Sequence, residues 1–268
     1  MALHLDAVAT TPAAAAGWPA APGWLWRLLS VAVVALAWEV AGRVPISFAF
    51  PTFADTMLAL GGLILSGELP RAYLSTLQPL VIGVVISAVA GVALGVAMGL
   101  SRGLEWLGAP LFTVLQAAPM AALIPLITFV YGIGLTSKVI AVCILAMPVI
   151  VLNAFGAVRN ASPSLIQMCR SFLGTRWQQI AKVIIPDAAP VIFAGLRLGV
   201  AAGFIGVVLA ELLITPTGIG DLITYYRSMA DYAEMYATIL SIIVFSAVTI
   251  ELLGQVETRL FRPERRGR

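Results

Sequence analysis

Six stretches of this chain are each long and apolar enough to cross a bilayer, and that restricts the fold more than any other feature. They run from about Trp24 to Gly42, Thr76 to Leu100, Trp106 to Tyr131, Ser137 to Val158, Ala188 to Ile214 and Tyr236 to Leu260. A hydrocarbon core about 30 Å thick takes roughly 20 helical residues. Inside it every backbone N–H and C=O must be satisfied within the segment, so runs of this length are helices. A transmembrane barrel needs alternating segments of about ten residues, and nothing here alternates. Composition agrees, with 60% hydrophobic and 11% charged residues, where a soluble domain carries roughly 45–50% and 25%. The expected fold is an all-α integral membrane protein with about six transmembrane helices.

Lys and Arg orient those helices. With both termini cytoplasmic, Arg27, Arg102, Arg159, Arg170, Arg176, Lys182, Arg259, Arg262, Arg265, Arg266 and Arg268 lie inside. Only Arg43, Arg71, Lys138 and Arg227 lie outside, while Arg197 falls within the fifth span. Eleven against four is a positive-inside bias. The same scatter explains a pI near 9.1 without a nucleic-acid face. Residues 1–22 read as a disordered cytoplasmic leader, since their small-residue stretch precedes the first apolar run where a cleavable signal would place it after. Residues 23–261 form the expected transmembrane domain, and 262–268 a basic cytoplasmic tail. Cys143 and Cys169 give no disulfide framework.

Two connectors are longer than turns. Residues 51–67 carry Phe53, Met57, Leu60 and Ile64 at helical spacing after a proline, which predicts a short amphipathic helix on the outer surface. Residues 159–187 predict two short cytoplasmic helices. Ser162-Pro163 starts the first, Gly174 breaks it, and Pro186 closes the second before the fifth span.

Within the spans, Gly91, Gly95 and Gly99 form a smooth stripe that Gly83 and Ser87 extend, which suits close helix packing. Pro119 and Pro125 interrupt the third span. With Gln116 one turn away, a cavity lining and a simple kink both remain open. Glu211 is a carboxylate within the fifth span, costly in hydrocarbon unless it is paired, interior or hydrated. Functional and structural roles for it both stay open; Arg197 is too distant along the helix to be an obvious partner. Glu39 and Arg43, four residues apart, read as a structural ion pair. Gln116, Pro119 and Glu211 are the candidate translocation path.

Enzyme chemistry finds no footing. The phosphate-loop pattern Gly-x4-Gly-Lys-Ser/Thr is missing, and His4 is the single histidine, so neither nucleotide nor metal chemistry is expected here. An ion-gradient secondary transporter or a channel is the alternative, but one intramembrane acid and no evident inverted repeat suit it poorly. Neither reading explains the two-helix cytoplasmic connector.

That connector resembles a family pattern. Permease subunits of binding-protein-dependent ABC importers carry Glu-Ala-Ala, three residues, Gly, nine residues and Ile-x-Leu-Pro. Here Gln167-Met168-Cys169-Arg170-Ser171-Phe172-Leu173-Gly174-Thr175-Arg176-Trp177 leads on to Ile184-Ile185-Pro186. It looks most like the nitrate, sulfonate and taurine branch, whose Arg-Ser/Thr and Arg-Trp pairs are matched by Arg170-Ser171 and Arg176-Trp177. Further matches, among them Phe50-Pro51-Thr52, Tyr131-Gly132-Ile133-Gly134, Ala210-Glu211 and Gly218-Ile219-Gly220, extend the resemblance over about residues 50–224. Gln167 stands at the glutamate position, Met168 and Cys169 at the alanines, and Gly174 falls one residue late, twelve before Pro186.

The resemblance implies a type I importer fold in which residues 167–177 form the coupling helix that docks on a separate ATPase. It implies two ATP-binding subunits holding ATP and Mg, with no cofactor on this chain. It also implies a second permease copy, preferably a homodimer, and an extracytoplasmic solute-binding protein. The setting would be the bacterial inner membrane, and the mechanism alternating access.

Overall fold

The computed structural model describes residues 23–261 apart from 45, 46, 48 and 215. The expected leader 1–22 and basic tail 262–268 lie outside the described residues. Every regular element among the described residues is helical: α1 (Gly23–Arg43), α2 (Phe53–Leu65), α3 (Glu68–Leu100), α4 (Arg102–Ala117), α5 (Met120–Tyr131), α6 (Leu135–Arg159), α7 (Pro163–Ser171), α8 (Arg176–Gln179), α9 (Ile185–Leu213), α10 (Ile219–Met229) and α11 (Tyr232–Phe261). Four helical rods are long and apolar enough to cross a membrane, or five if the bent pair α4–α5 counts as one span. At 21 residues α1 has the length of a further one.

The bundle is built around α6, which lies between α3 and α9. Ala141, Val142, Ala146, Ile150, Val151 and Ala154 of α6 are at most 1% exposed. Both neighbours approach through glycine. On α3, a Cβ added at Gly83, Gly91, Gly95 or Gly99 would come within 3.0 Å of Val142, Ile150, Val151 or Val158. The stripe read from the sequence is therefore the α3–α6 contact. On α9, Gly195 and Gly199 press in the same way on Asn153 and Ile150, and Gly206 on Ala141. Removing side chains brings backbones close, so dispersion and packing hold helices together where the hydrophobic effect gives no help.

Thr52 caps α2 by accepting the Asp55 N–H at 3.0 Å, and α2 is the short helix expected between residues 51 and 67. Glu39 joins α1 to it, bonding Arg43 at 2.7 Å and accepting the Ala54 N–H at 3.0 Å. Trp38 adds an N–H donated to the Pro51 carbonyl at 3.1 Å and ring contacts with Phe50, Phe53 and Tyr236.

Two expected boundaries are corrected. The stretch Trp106–Tyr131 is not one straight span: α4 and α5 meet at 100°. Ala118, the residue before proline, is pushed to an extended conformation (φ −65°, ψ 135°), and Pro119 has no N–H to continue the ladder. Pro125, by contrast, is carried inside α5. At the other boundary Pro186 does not end a helix. Arg176 to Leu213 is one rod of 38 residues. A π-helical turn over Ile180–Ile184 lets the Ile185 N–H reach back five residues to the Ile180 carbonyl. That shift of register accommodates a proline without a break.

Candidate functional site

The first candidate site is the turn between α7 and α8. Pro163 occupies the first turn of α7, where a missing N–H costs nothing, and the Ser162 N–H donates to Asp187 Oδ2 at 2.8 Å, tying the start of α7 to the base of α9. The end of α7 is closed by two bonds. The Leu173 N–H donates to the Arg170 carbonyl and the Gly174 N–H to the Cys169 carbonyl, each at 2.9 Å. This pairing needs a left-handed residue after the helix. Leu173 supplies it, at φ 56°, at a conformational cost of about 1–2 kcal/mol. Gly174 serves differently from the helix break expected of it. A Cβ there would lie 2.5 Å from Cys169 Sγ and 2.8 Å from the Cys169 carbonyl oxygen, so it permits a close approach. Thr175 then opens α8 with a capping box: its Oγ1 accepts the Gln178 N–H, and Gln178 Oε1 accepts the Thr175 N–H at 2.9 Å.

The turn presents large apolar groups to solvent. Phe172 is 80% exposed, Leu173 90%, Trp177 75% and Met168 53%. Gln167, Arg170, Ser171, Thr175 and Arg176 are exposed around them, while Cys169 and Gly174 are half-buried. Among the described residues no acidic side chain lies within ion-pair distance of Arg170, Arg176 or Lys182.

At the opposite end of the bundle sits a buried polar cluster. Lys138 Nζ, on α6, lies 2.7 Å from Glu211 Oε1, on α9, with side chains 4% and 0% exposed. Thr76 of α3 donates its hydroxyl to the same carboxylate at 2.8 Å. The first turn of α10 completes it: the Gly220 N–H donates to Glu211 Oε2 at 3.1 Å, and the Ile219 N–H to Thr76 Oγ1 at 2.9 Å. Lys138 also donates to the Thr217 carbonyl at 2.9 Å. Gly218 enters at φ 98°, and any Cβ there would collide with Glu211 Oε1. The carboxylate is thus neutralised and sits against the positive end of a helix. Sequence spacing gave no sign of Lys138 as the partner, which is 73 residues away.

The three candidate path residues are not gathered in one place by any of these contacts. Gln116 and Pro119 are exposed at the α4–α5 bend, whereas Glu211 is buried in the cluster just described. Arg197 reaches α11 instead, 3.5 Å from Glu257.

A helical bundle with one sharply bent helix pair, packed through glycine and carrying an exposed two-helix turn at one end, is the build of a transporter's membrane subunit. Residues 83–262 match the family model described as binding-protein-dependent transport system inner membrane component. The chain belongs to that family: it is the multi-pass permease of an ABC importer, a translocation subunit of the inner membrane. Among curated relatives, the permease protein SsuC of Bacillus subtilis, named for aliphatic sulfonates transport, is 30% identical over 90% of this chain and 88% of its own length. The taurine transport system permease protein TauC of Escherichia coli is 30% identical over 42% of each chain. Among solved structures, an inward-facing methionine ABC transporter, MetNI, matches with a TM-score of 0.60 at 18% identity, covering 72% of this chain and 94% of that one. That likeness concerns the fold.

Proposed function

We propose that two copies of this chain form the path of an importer for a small organic anion of the aliphatic sulfonate kind. Two ATP-binding subunits, holding ATP and Mg, drive it through residues 167–177, and a soluble binding protein delivers the solute to the opposite face. The observation that carries this reading is the α7–α8 turn. Its large apolar side chains lie on the connector that the Lys and Arg distribution assigns to the cytoplasm, where a partner groove can bury them. The solute class is supported by the likeness to SsuC over most of the chain. It is also supported by Lys138, because a neutralised Glu211 no longer opposes an anion.

Coupling then works as a two-state linkage: closure of the ATP-binding pair is favoured with one bundle arrangement and release with the other. The test is reconstitution of the permease with its ATP-binding subunit and binding protein in liposomes. Uptake of an alkanesulfonate should require ATP inside and should stop with Phe172→Asp, although that variant still inserts. Uptake that follows an ion gradient without any ATPase would sink the proposal.

A further inference from the structure

We infer that Leu173 is the anchor of this docking surface, a knob held in a strained conformation so that it plugs an apolar, acid-rimmed socket on the ATP-binding subunit. The inference rests on the proposed docking of residues 167–177 and adds to it a specific residue and a partner chemistry.

Three observations converge. Leu173 has φ 56°, the backbone region that glycine occupies freely and a leucine occupies at a cost. Its side chain is 90% exposed, so among the described residues no burial of that side chain returns the cost. A glycine is available one residue later, where the backbone does not need positive φ. The position that bears the positive φ is Leu173, directly before that glycine. A turn that only had to turn would place glycine there. Strain kept at an exposed site points to a function outside the chain's own stability.

The surroundings define the socket. Phe172 and Trp177 flank the leucine with exposed apolar surface, so the partner must offer an apolar pocket. Arg170, Arg176 and Lys182 are exposed, with no acidic side chain of the described residues in ion-pair range, so the pocket's rim should be acidic.

The full-length permease in nanodiscs is titrated with the purified ATP-binding subunit, and affinity is read alongside the permease's own melting temperature. Leu173→Gly removes the knob and the strain together. It should weaken binding about ten- to a hundredfold, the range expected for losing one buried leucine, while the melting temperature holds or rises. Leu173→Ala should weaken binding as well. Phe172→Asp serves as the control for docking itself. If Phe172→Asp abolishes binding but Leu173→Gly binds as tightly as the parent, the anchor is wrong and the docking stands. If none of the three variants changes binding, the docking surface itself is misplaced. Association that does not weaken with added salt overturns the acidic rim.

Discussion

Replacing Lys138 with Met isolates the buried ion pair with Glu211. The Nζ–Oε1 separation of 2.7 Å corresponds to a gross attraction of about 6 kcal/mol at an effective dielectric constant near 20. Desolvating both ions offsets much of that, so the pair's net worth is small. Removing one partner is another matter, since the survivor stays buried and uncompensated, at a cost of about 3–5 kcal/mol. Thr76 and the Gly220 N–H still donate to Glu211 in the variant, which places Lys138→Met near about 3 kcal/mol, the lower end of that range. The double variant Lys138→Met/Glu211→Gln has no buried charge and should recover most of the loss. Unfolding free energies from denaturant titration in mixed micelles, taken through the full double-mutant cycle, measure this directly. If Lys138→Met costs less than about 1 kcal/mol, or if the two substitutions simply add, the cluster is not the closed ion pair described.

Other predictions concern packing, titration and sidedness. Gly95→Val should cost about 1–3 kcal/mol through overpacking against the Val151 carbonyl, whereas Gly156→Ala, with nothing within 4 Å of its added Cβ, should hold or raise the melting temperature. Tyr226, in α10, donates its hydroxyl to Glu68, and burial together with that carboxylate pushes the phenol above its ordinary value. Its contribution to stability is therefore complete below the unfolded value and is lost only as pH rises through the higher folded one. In the alkaline difference spectrum between the parent and Tyr226→Phe, a phenol ionising at its ordinary pH would contradict this. With both native cysteines replaced, an impermeant maleimide should label Ser171→Cys from the cytoplasm and Arg227→Cys from outside. Labelling of both from the same side refutes the topology.

Much of this fold is written in short-range pattern. Apolar length announces the spans, and the α3 glycines at four-residue spacing announce a helix contact, because lipid offers few other ways to use either. What escaped depends on elements far apart in sequence. Gly195, Gly199 and Gly203 of α9 repeat at the same spacing, but that the first two face α6 and the third faces Val84 and Leu80 of α3 shows only once three helices are assembled. Counting puts Lys138 among the outer charges, whereas the structure buries it, because pairing with Glu211 outweighs its tendency to reach water. Pro186 reads as a stop in the sequence, but the π turn before it absorbs it. The late glycine of the coupling segment was visible from spacing alone, but the residue bearing the resulting strain was not. Left-handed conformation belongs to the turn's hydrogen bonds and not to the identity of the residue that fills it.

The unbroken run from Arg176 to Leu213 carries a mechanical implication. At 38 residues it spans about 57 Å if helical throughout, with the docking turn at its foot and Glu211 near its tip. No loop lies between them to absorb displacement. Under the proposed docking, a tilt of about 5° imposed at the foot would sweep the tip through about 5 Å over that length. Because the tip is riveted to α3, α6 and α10 through Glu211, the outer ends of those helices would be carried along. The chain would then work as a stiff arm pivoting at the docking foot, transmitting the motor's stroke by stiffness and requiring no chain of small rearrangements.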